Sequence, residues 1–469
     1  MKLIYNVKDK PKFSQVLIFA IQQVLAIMSA TIAVPAQINA SFPEAAMSPA
    51  TALVGAGCGT LVYQLFTKFK SPVFLGSSFG FIGAMLAAFA GGVSMALGYS
   101  GLIIGAAFAA LVYVILSIII KIAGVKWIDK IMPAVVIGPT VAIIGLSLSS
   151  YAVSLMTSSA GTALVAAENA NSATLFATLV ALVTVFVVVI CSVYGKKTLR
   201  LVPFIIGILA GYVLGIILTL IGNAVGNDAM KIVDFTPFTN LFGNGVSLNS
   251  FLAVPAFAFL KAIPGFKELS PSYFATLAAA FIPVAFVVFA EHLADHKNLS
   301  SIIEKDLTQD PGLSRTLLGD GIGSFVGAFF GGCENTTYGE SIGCVAITKN
   351  ASVISITGAA ILCILISFVA PFVAFLESIP SCVMGGICLT LYGFIAVSGL
   401  KMLQPVDLNE NKNLFVVSII LISGIGGLAL NFGSITITHV ACALILGVIT
   451  NAILSKKESD PEEQQQVIK

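Results

Sequence analysis

Residues 331–349 read GGCENTTYGESIGCVAITK, a polar, glycine-broken stretch inside an otherwise very hydrophobic chain. It holds two carboxylates, Glu334 and Glu340, an Asn-Thr-Thr-Tyr run at 335–338 and four glycines, with long apolar segments on both sides. Lipid offers no hydrogen bonds to such a backbone, so at membrane depth it is tolerable only inside protein or along a cavity. Ionisable groups there are costly and point to a transport or binding site. The plainer alternative is an extramembrane loop joining two spans.

Composition supports the membrane setting. Of 469 residues, 57% are hydrophobic and 10% charged, and the mean hydropathy is +1.01. Soluble domains carry about 25% charged residues. The net charge of +2 is uninformative, and no basic stripe suits nucleic acid. Eight cysteines are scattered singly through apolar segments with no Cys-x-x-Cys pair, which reads as buried free thiols without disulfide or metal. The first apolar run, Phe13 to Pro35, is too long for a signal peptide and is read as a retained span.

Outward from 331–349, apolar runs of about 20 residues fall near 13–35, 46–67, 99–121, 132–157, 172–194, 201–222, 272–296, 316–332, 351–374, 380–400, 413–431 and 437–455. Two shorter, interrupted segments, 72–90 and 335–350, bring the total to about 14 crossings. Charge agrees with this alternation. With the N-terminus inside, 21 of the 24 basic residues fall on the cytoplasmic side, and the exceptions Lys231, Lys261 and Lys267 share one long loop, where the positive-inside rule is weakest. Both termini are therefore expected in the cytoplasm. The tail SKKESDPEEQQQVIK is polar and expected to be disordered.

The interrupted segments are third and tenth, equivalent places if the chain is two halves of seven spans. Paired discontinuous segments point to an inverted-repeat transporter with a midplane site. In each, an extended piece should precede a half-helix: Ser71–Met85 reads SPVFLGSSFGFIGAM, and Thr336, Thr337 and Tyr338 favour extended backbone before Gly339. The two extended pieces could pair, and each half-helix start would offer free N–H groups to a cavity.

A second ionic cluster, AEHLADHK at 290–297, ends the apolar run of span eight. Glu291 and Asp295 share a face at i, i+4, and His292 and His296 form another such pair about 100° round the helix. Glu291 is read as facing the cavity, with Asp295 and the histidines as protonatable neighbours; the bland reading makes Asp295, His292 and His296 a solvated helix end. No His-Glu-x-x-His pattern supports zinc. Asp320 is expected to cap span nine at the cytoplasmic face. Glu334 is expected toward the outer end of its segment, at an entrance or interface.

These residues resemble the nucleobase/ascorbate transporter (nucleobase:cation symporter 2) family over nearly the whole chain, from QQVLAIMSATIAVP to LYGFIAVSGL. The most specific pieces are LGSSFGF (75–81), AEH (290–292), KDLTQDPGL (305–313) and NTTYGESIGCVAITK (335–349). The family signature, Gln/Glu/Pro-Asn-x-Gly-x4-Thr-Arg/Lys/Gly, matches at Glu340, Gly343, Thr348 and Lys349, with Ser341 in place of Asn. The resemblance implies an all-α polytopic fold in a 7+7 inverted repeat, with short antiparallel β pieces in segments 3 and 10. It implies a core domain from 13–121 and 272–374 and a gate domain from 127–222 and 379–455. It also implies a nucleobase held by Glu291 and Glu340, main-chain groups of Phe79 and Gly339, and a wall including Ala30, Ser78 and Tyr338.

Glutamate rather than glutamine at 340, with Thr-Thr-Tyr-Gly before it, resembles the uracil-transporting branch. The implied activity is uracil uptake with protons across the cytoplasmic membrane, with no cofactor beyond the proton gradient, by a homodimer. A purine (xanthine or urate) symporter is the runner-up. Two carboxylates suit the N–H donors of a neutral, planar base, whereas an anion carrier would repel its substrate. An intramembrane enzyme would need a nucleophile–base or metal constellation, which the sequence does not offer. Proton occupancy of a buried glutamate can be coupled to substrate binding, which makes Glu291 the first candidate for coupling. In the uracil branch a histidine stands where this chain has Asp295, a carboxylate that can also take a proton, with His292 and His296 beside it.

Overall fold

The computed structural model of the chain describes residues 3–456 except 126, 129–131, 166–169, 197–198, 201, 244 and 433–434. The tail from 457 on and Lys2, Lys126, Lys130 and Lys197 of the charge pattern lie outside the described residues.

The first half contains α1 (Phe13–Ser41), α2 (Pro49–Phe66), strand β1 (Leu75–Ser77), the half-helix α3 (Ile82–Phe89) and α4 (Met95–Ala123). There follow α5 (Ala134–Ser147), α6 (Ser149–Met156), α7 (Ala170–Tyr194) and α8 (Pro203–Val225). The second half repeats the pattern with α9 (Pro271–Ile303), α10 (Leu313–Gly331), β2 (Asn335–Thr337), the half-helix α11 (Gly339–Thr348) and α12 (Val353–Ile366). It closes with α13 (Ala370–Ser378), α14 (Ser381–Met402), α15 (Asn411–Ile425), the hairpin β3 (Leu430–Phe432) and β4 (Ile435–Ile437), and α16 (His439–Lys456). Among the described residues, seven helical stretches are long and apolar enough to cross a membrane, counting α5 and α6 together as one. Large apolar side chains on α7 and α8, such as Leu175, Phe186, Leu209 and Val213, are exposed, as lipid rather than water requires.

Packing sorts the helices into two groups. In one, α10 lies between α2 and α4, α9 packs on α4, and α12 on α1 and α2. In the other, α14 lies against α5, α6 and α7, α7 packs on α8, and α15 and α16 pack on α5 and on each other. Contacts between the groups run mainly from α1 and α9 to α5, α8, α14 and α16. The α2–α10 crossing needs small residues: a Cβ on Gly55 would press on the Gly327 carbonyl and come within 3.0 Å of the Gly331 Cα, so bulk there would force the backbones apart.

The third and tenth segments form one ribbon. β1 and β2 pair antiparallel, with Leu75 opposite Thr337, Gly76 opposite Thr336 and Ser77 opposite Asn335. Two three-residue pieces, each too short to stand alone, satisfy one another's backbone in a buried place. Thr60 on α2 fastens the ribbon, its hydroxyl accepting from Leu75 N–H at 2.9 Å.

Two expected spans are divided. The run 351–374 breaks at 367–369, where loop residues 251–253 intrude: Ala253 N–H donates to the Phe368 carbonyl at 3.0 Å and Ala370 N–H to the Phe251 carbonyl at 2.9 Å. The run 132–157 breaks at Leu148, flanked by Ser147 and Ser149 hydroxyls bonded back to the Ile144 and Leu146 carbonyls, a local competition that loosens a helix. At the amino-terminal end, Ile4 N–H donates to the Lys349 carbonyl, Ala351 N–H to that of Tyr5 and Val353 N–H to that of Val7. This ladder ties residues 4–7 to the stretch just after α11.

Candidate functional site

The ribbon brings α11 and the end of β1 to one cavity, which α9 borders from the side. Phe79, Glu291, Asp295, Tyr338, Gly339 and Glu340 all line this space of about 440 Å³, within the usual range for small-molecule sites. Both glutamates belong to the second half of the chain; from the first half, Phe79 and Ala26 lie on the same side of the cavity as they do. The far wall comes from the other helix group, with Val141 of α5 and Leu391, Phe394 and Ile395 of α14. A short row of polar groups therefore faces an apolar wall.

Asp295 and Tyr338 are held by the ribbon. Asp295 accepts from the Thr337 hydroxyl at 2.7 Å, which fixes α9 to the ribbon. Tyr338 OH donates to the Ser77 carbonyl at 2.7 Å, so its ring lies along the ribbon. Gly339 is exposed to the cavity, and a Cβ on it would meet nothing within 4 Å. No side chain caps α11, leaving first-turn N–H groups for a ligand. The Phe79 ring meets Tyr392 of α14 edge-on at 5.5 Å, joining the two helix groups behind the site.

Ser341, the departure from the signature, is not idle. Its hydroxyl oxygen accepts from the Gln23 side-chain amide and from Phe74 N–H, the latter at 3.1 Å. The first turn of α11 is thereby tied to α1 and to the residue before β1.

Ala30 and Ser78 are fully buried behind the wall, and Ala26, one turn earlier on α1, lines the cavity instead. His292 and His296 are also fully buried and face away from it. His292 Nδ1 lies 2.8 Å from Asp320 Oδ2 and its Nε2 3.1 Å from Thr316 Oγ1, whose hydroxyl donates to the Leu313 carbonyl. Thr316 must then accept from Nε2–H, so a single proton is shared between His292 Nδ1 and Asp320 in the neutral pair. His296 Nδ1 donates to the His292 carbonyl at 2.8 Å, and its Nε2 lies 2.7 Å from the Tyr63 hydroxyl oxygen, which also bonds to Ser71 Oγ at 2.7 Å.

Two expectations are corrected. Asp320 is no helix cap: it is fully buried within α10, between His292 and the Thr336 hydroxyl. Glu334 is neither at an entrance nor interfacial, being 0% exposed at the end of the ribbon. Sequence spacing missed Asp320, Thr316 and Thr337 as partners, because a helix face has no address until its neighbours are known. Thr336 and Thr337 did signal extended backbone, but their hydroxyl partners lie elsewhere in the chain.

The Permease family matches residues 14–432. The chain is 36% identical to the uracil permease of Bacillus subtilis (strain 168), over 99% of each chain. It is 35% identical to the uracil permease of Escherichia coli (strain K12), over 94% of this chain and 92% of that one. The transmembrane domain of the cyanobacterial bicarbonate transporter BicA has the same fold, with a TM-score of 0.62, 15% identity and coverage of 95% of this chain and 100% of that one. Inverted repeats, a paired ribbon and a half-helix site thus accompany a full-length match, and the chain belongs to the Permease family of nucleobase/ascorbate transporters, multi-pass membrane proteins that carry solutes rather than transform them.

Proposed function

We propose that the protein takes up uracil across the cytoplasmic membrane together with protons, by alternating access. The observation that carries this reading is Glu291 and Glu340 on one wall of a cavity that also holds Gly339 and Phe79. Carboxylates accept from the two ring N–H groups of uracil, and the uncapped start of α11 donates to a carbonyl. Glu291 is the coupling group, and Asp295, held by Thr337, replaces the branch's histidine as its protonatable neighbour. His292 and His296 act behind the wall, where their bonds set the position of α9 against α10 and α2.

In this reading the helices within 13–121 and 272–374 carry the site, and those within 127–222 and 379–455 form the gate and the homodimer contact. The cavity reaches Arg200, Ile347 and Met402, beside the Lys349 and Lys401 positions assigned to the cytoplasm, so the state is inward-open. Proteoliposomes loaded with purified protein test the reading. Labelled uracil should accumulate only under an inward proton gradient, and unlabelled uracil, not xanthine, should compete. Xanthine competing as well as uracil would favour the purine alternative.

A further inference from the structure

Glu334 lies off the cavity wall, fully buried, with neither carboxylate oxygen hydrogen-bonded. Ser78 N–H donates to its carbonyl at 2.7 Å, so Ser78 and Glu334 face each other one step past the Ser77–Asn335 pair. Opposed residues of an antiparallel ribbon project to the same face. Ser78 Oγ is likewise buried and without a partner. An unpaired carboxylate in a dry interior is strongly disfavoured, and such a group takes a proton or a cation instead.

The titratable groups facing this end of the ribbon are Cys333 beside it, Tyr99 of α4 and Tyr338 of the ribbon's exit. Asp320 and Asp295 follow, held by Thr336 and Thr337, with Lys261 4.9 Å above the Tyr99 ring. From α2 the approach is made by Gly55, whose carbonyl accepts from Asn335 Nδ2. None of them bonds to the Glu334 carboxyl.

A second cavity of about 470 Å³ lies at the other end of the molecule, lined by Ala36, Asn39, Met47, Ser48, Glu377 and Met384. Along α1 it begins past Ala26, and along α14 it takes the start of the helix while the uracil cavity takes the rest. Met47 joins it to the Glu334 region, since a Cβ on Gly332 would come within 3.1 Å of the Met47 Cε.

We propose that Glu334 is a proton-accepting group on the outer side of the ribbon, opposite Ser78, which loads from the second cavity. An O–H bond forms on the carboxylate as one in hydronium breaks, and the neutral acid is what the sealed, inward-open state contains. The proton then moves with the ribbon and the site it holds. This rests on the proton-symport reading.

The test uses full-length protein in proteoliposomes, uracil as probe and a pH-sensitive dye inside. For each coupled proton, whether held at Glu291 or at Glu334, a unit of pH gradient supports about a tenfold accumulation. Glu334→Gln should retain uracil exchange without a gradient but lose most of the dependence of net uptake on outer pH. Wild-type dependence on outer pH in Glu334→Gln would overturn the proposal while leaving symport intact. Wild-type protein that moves no protons with uracil would overturn both. Should the Gln variant fail to reach the membrane, Glu334→Asp decides: a shifted outer-pH midpoint supports the role, and an unchanged midpoint overturns it.

Discussion

In the proposed reading, the side chain at 340 selects the base edge and the one at 291 carries the coupled proton. Replacing Glu340 by Gln removes a charged acceptor from a hydrogen bond, a loss of about 1.5–3 kcal/mol. Uracil affinity, measured by binding to purified protein, should fall about 10- to 100-fold. Glu291→Gln should abolish gradient-driven uptake; uptake still following the pH gradient would remove Glu291 from the coupling role. Behind the wall, Asp320→Asn breaks a fully buried pair with His292, at about 3 kcal/mol, and should appear as a lower thermal midpoint in detergent. Ser341 shows what spacing alone could not: a serine reads as a weakened signature, yet its oxygen collects two bonds from distant segments.

Among the elements, the ribbon and its two half-helices were the most legible in sequence, because glycine, serine and proline interrupt apolar runs at equivalent places in the two halves. The register was not legible: three-residue strands carry too little pattern, and Ser324 and Gly55 hold Asn335 of β2 from outside the ribbon. The β3–β4 hairpin went unread because LNFGSITI looks like the frayed edges of two spans. Asp320 was misplaced because Arg315 nearby suggested a helix start at the water. Two predictions belong here. Gly55→Val at the α2–α10 crossing should destabilise the protein by about 1–3 kcal/mol, read by thermal melting. Between the loops that follow α2 and α9, Lys70 and Lys305 bond to Asp310 at 2.6 and 2.9 Å and hold its carboxyl down at about 2. Because that value lies below the unfolded one, the clasp is complete above the ordinary aspartate range and disappears only as pH falls towards 2. Hydrogen exchange of 67–71 and 304–312 should thus be pH-insensitive near neutrality beyond its intrinsic rate, and faster in Asp310→Asn.

For the whole molecule, composition and charge alternation dictated the membrane class and the two halves, while the division into two helix groups has no signature in the residue pattern and was expected from the family resemblance alone. The direction in which the cavity opens required the contacts themselves, since no residue pattern specifies it. A cysteine at Ile347, on the cavity rim and 42% exposed, should react with a membrane-impermeant thiol reagent added from the cytoplasmic side, and uracil should slow the reaction. Equal reactivity from both sides would contradict the inward-open assignment. The chain's start is fastened to the segment that leaves α11, so a tilt of the site helix pulls on residues 4–7. A fluorophore attached near Lys8 should then report, from the aqueous phase and far from the cavity, any tilt of α11 that follows uracil addition.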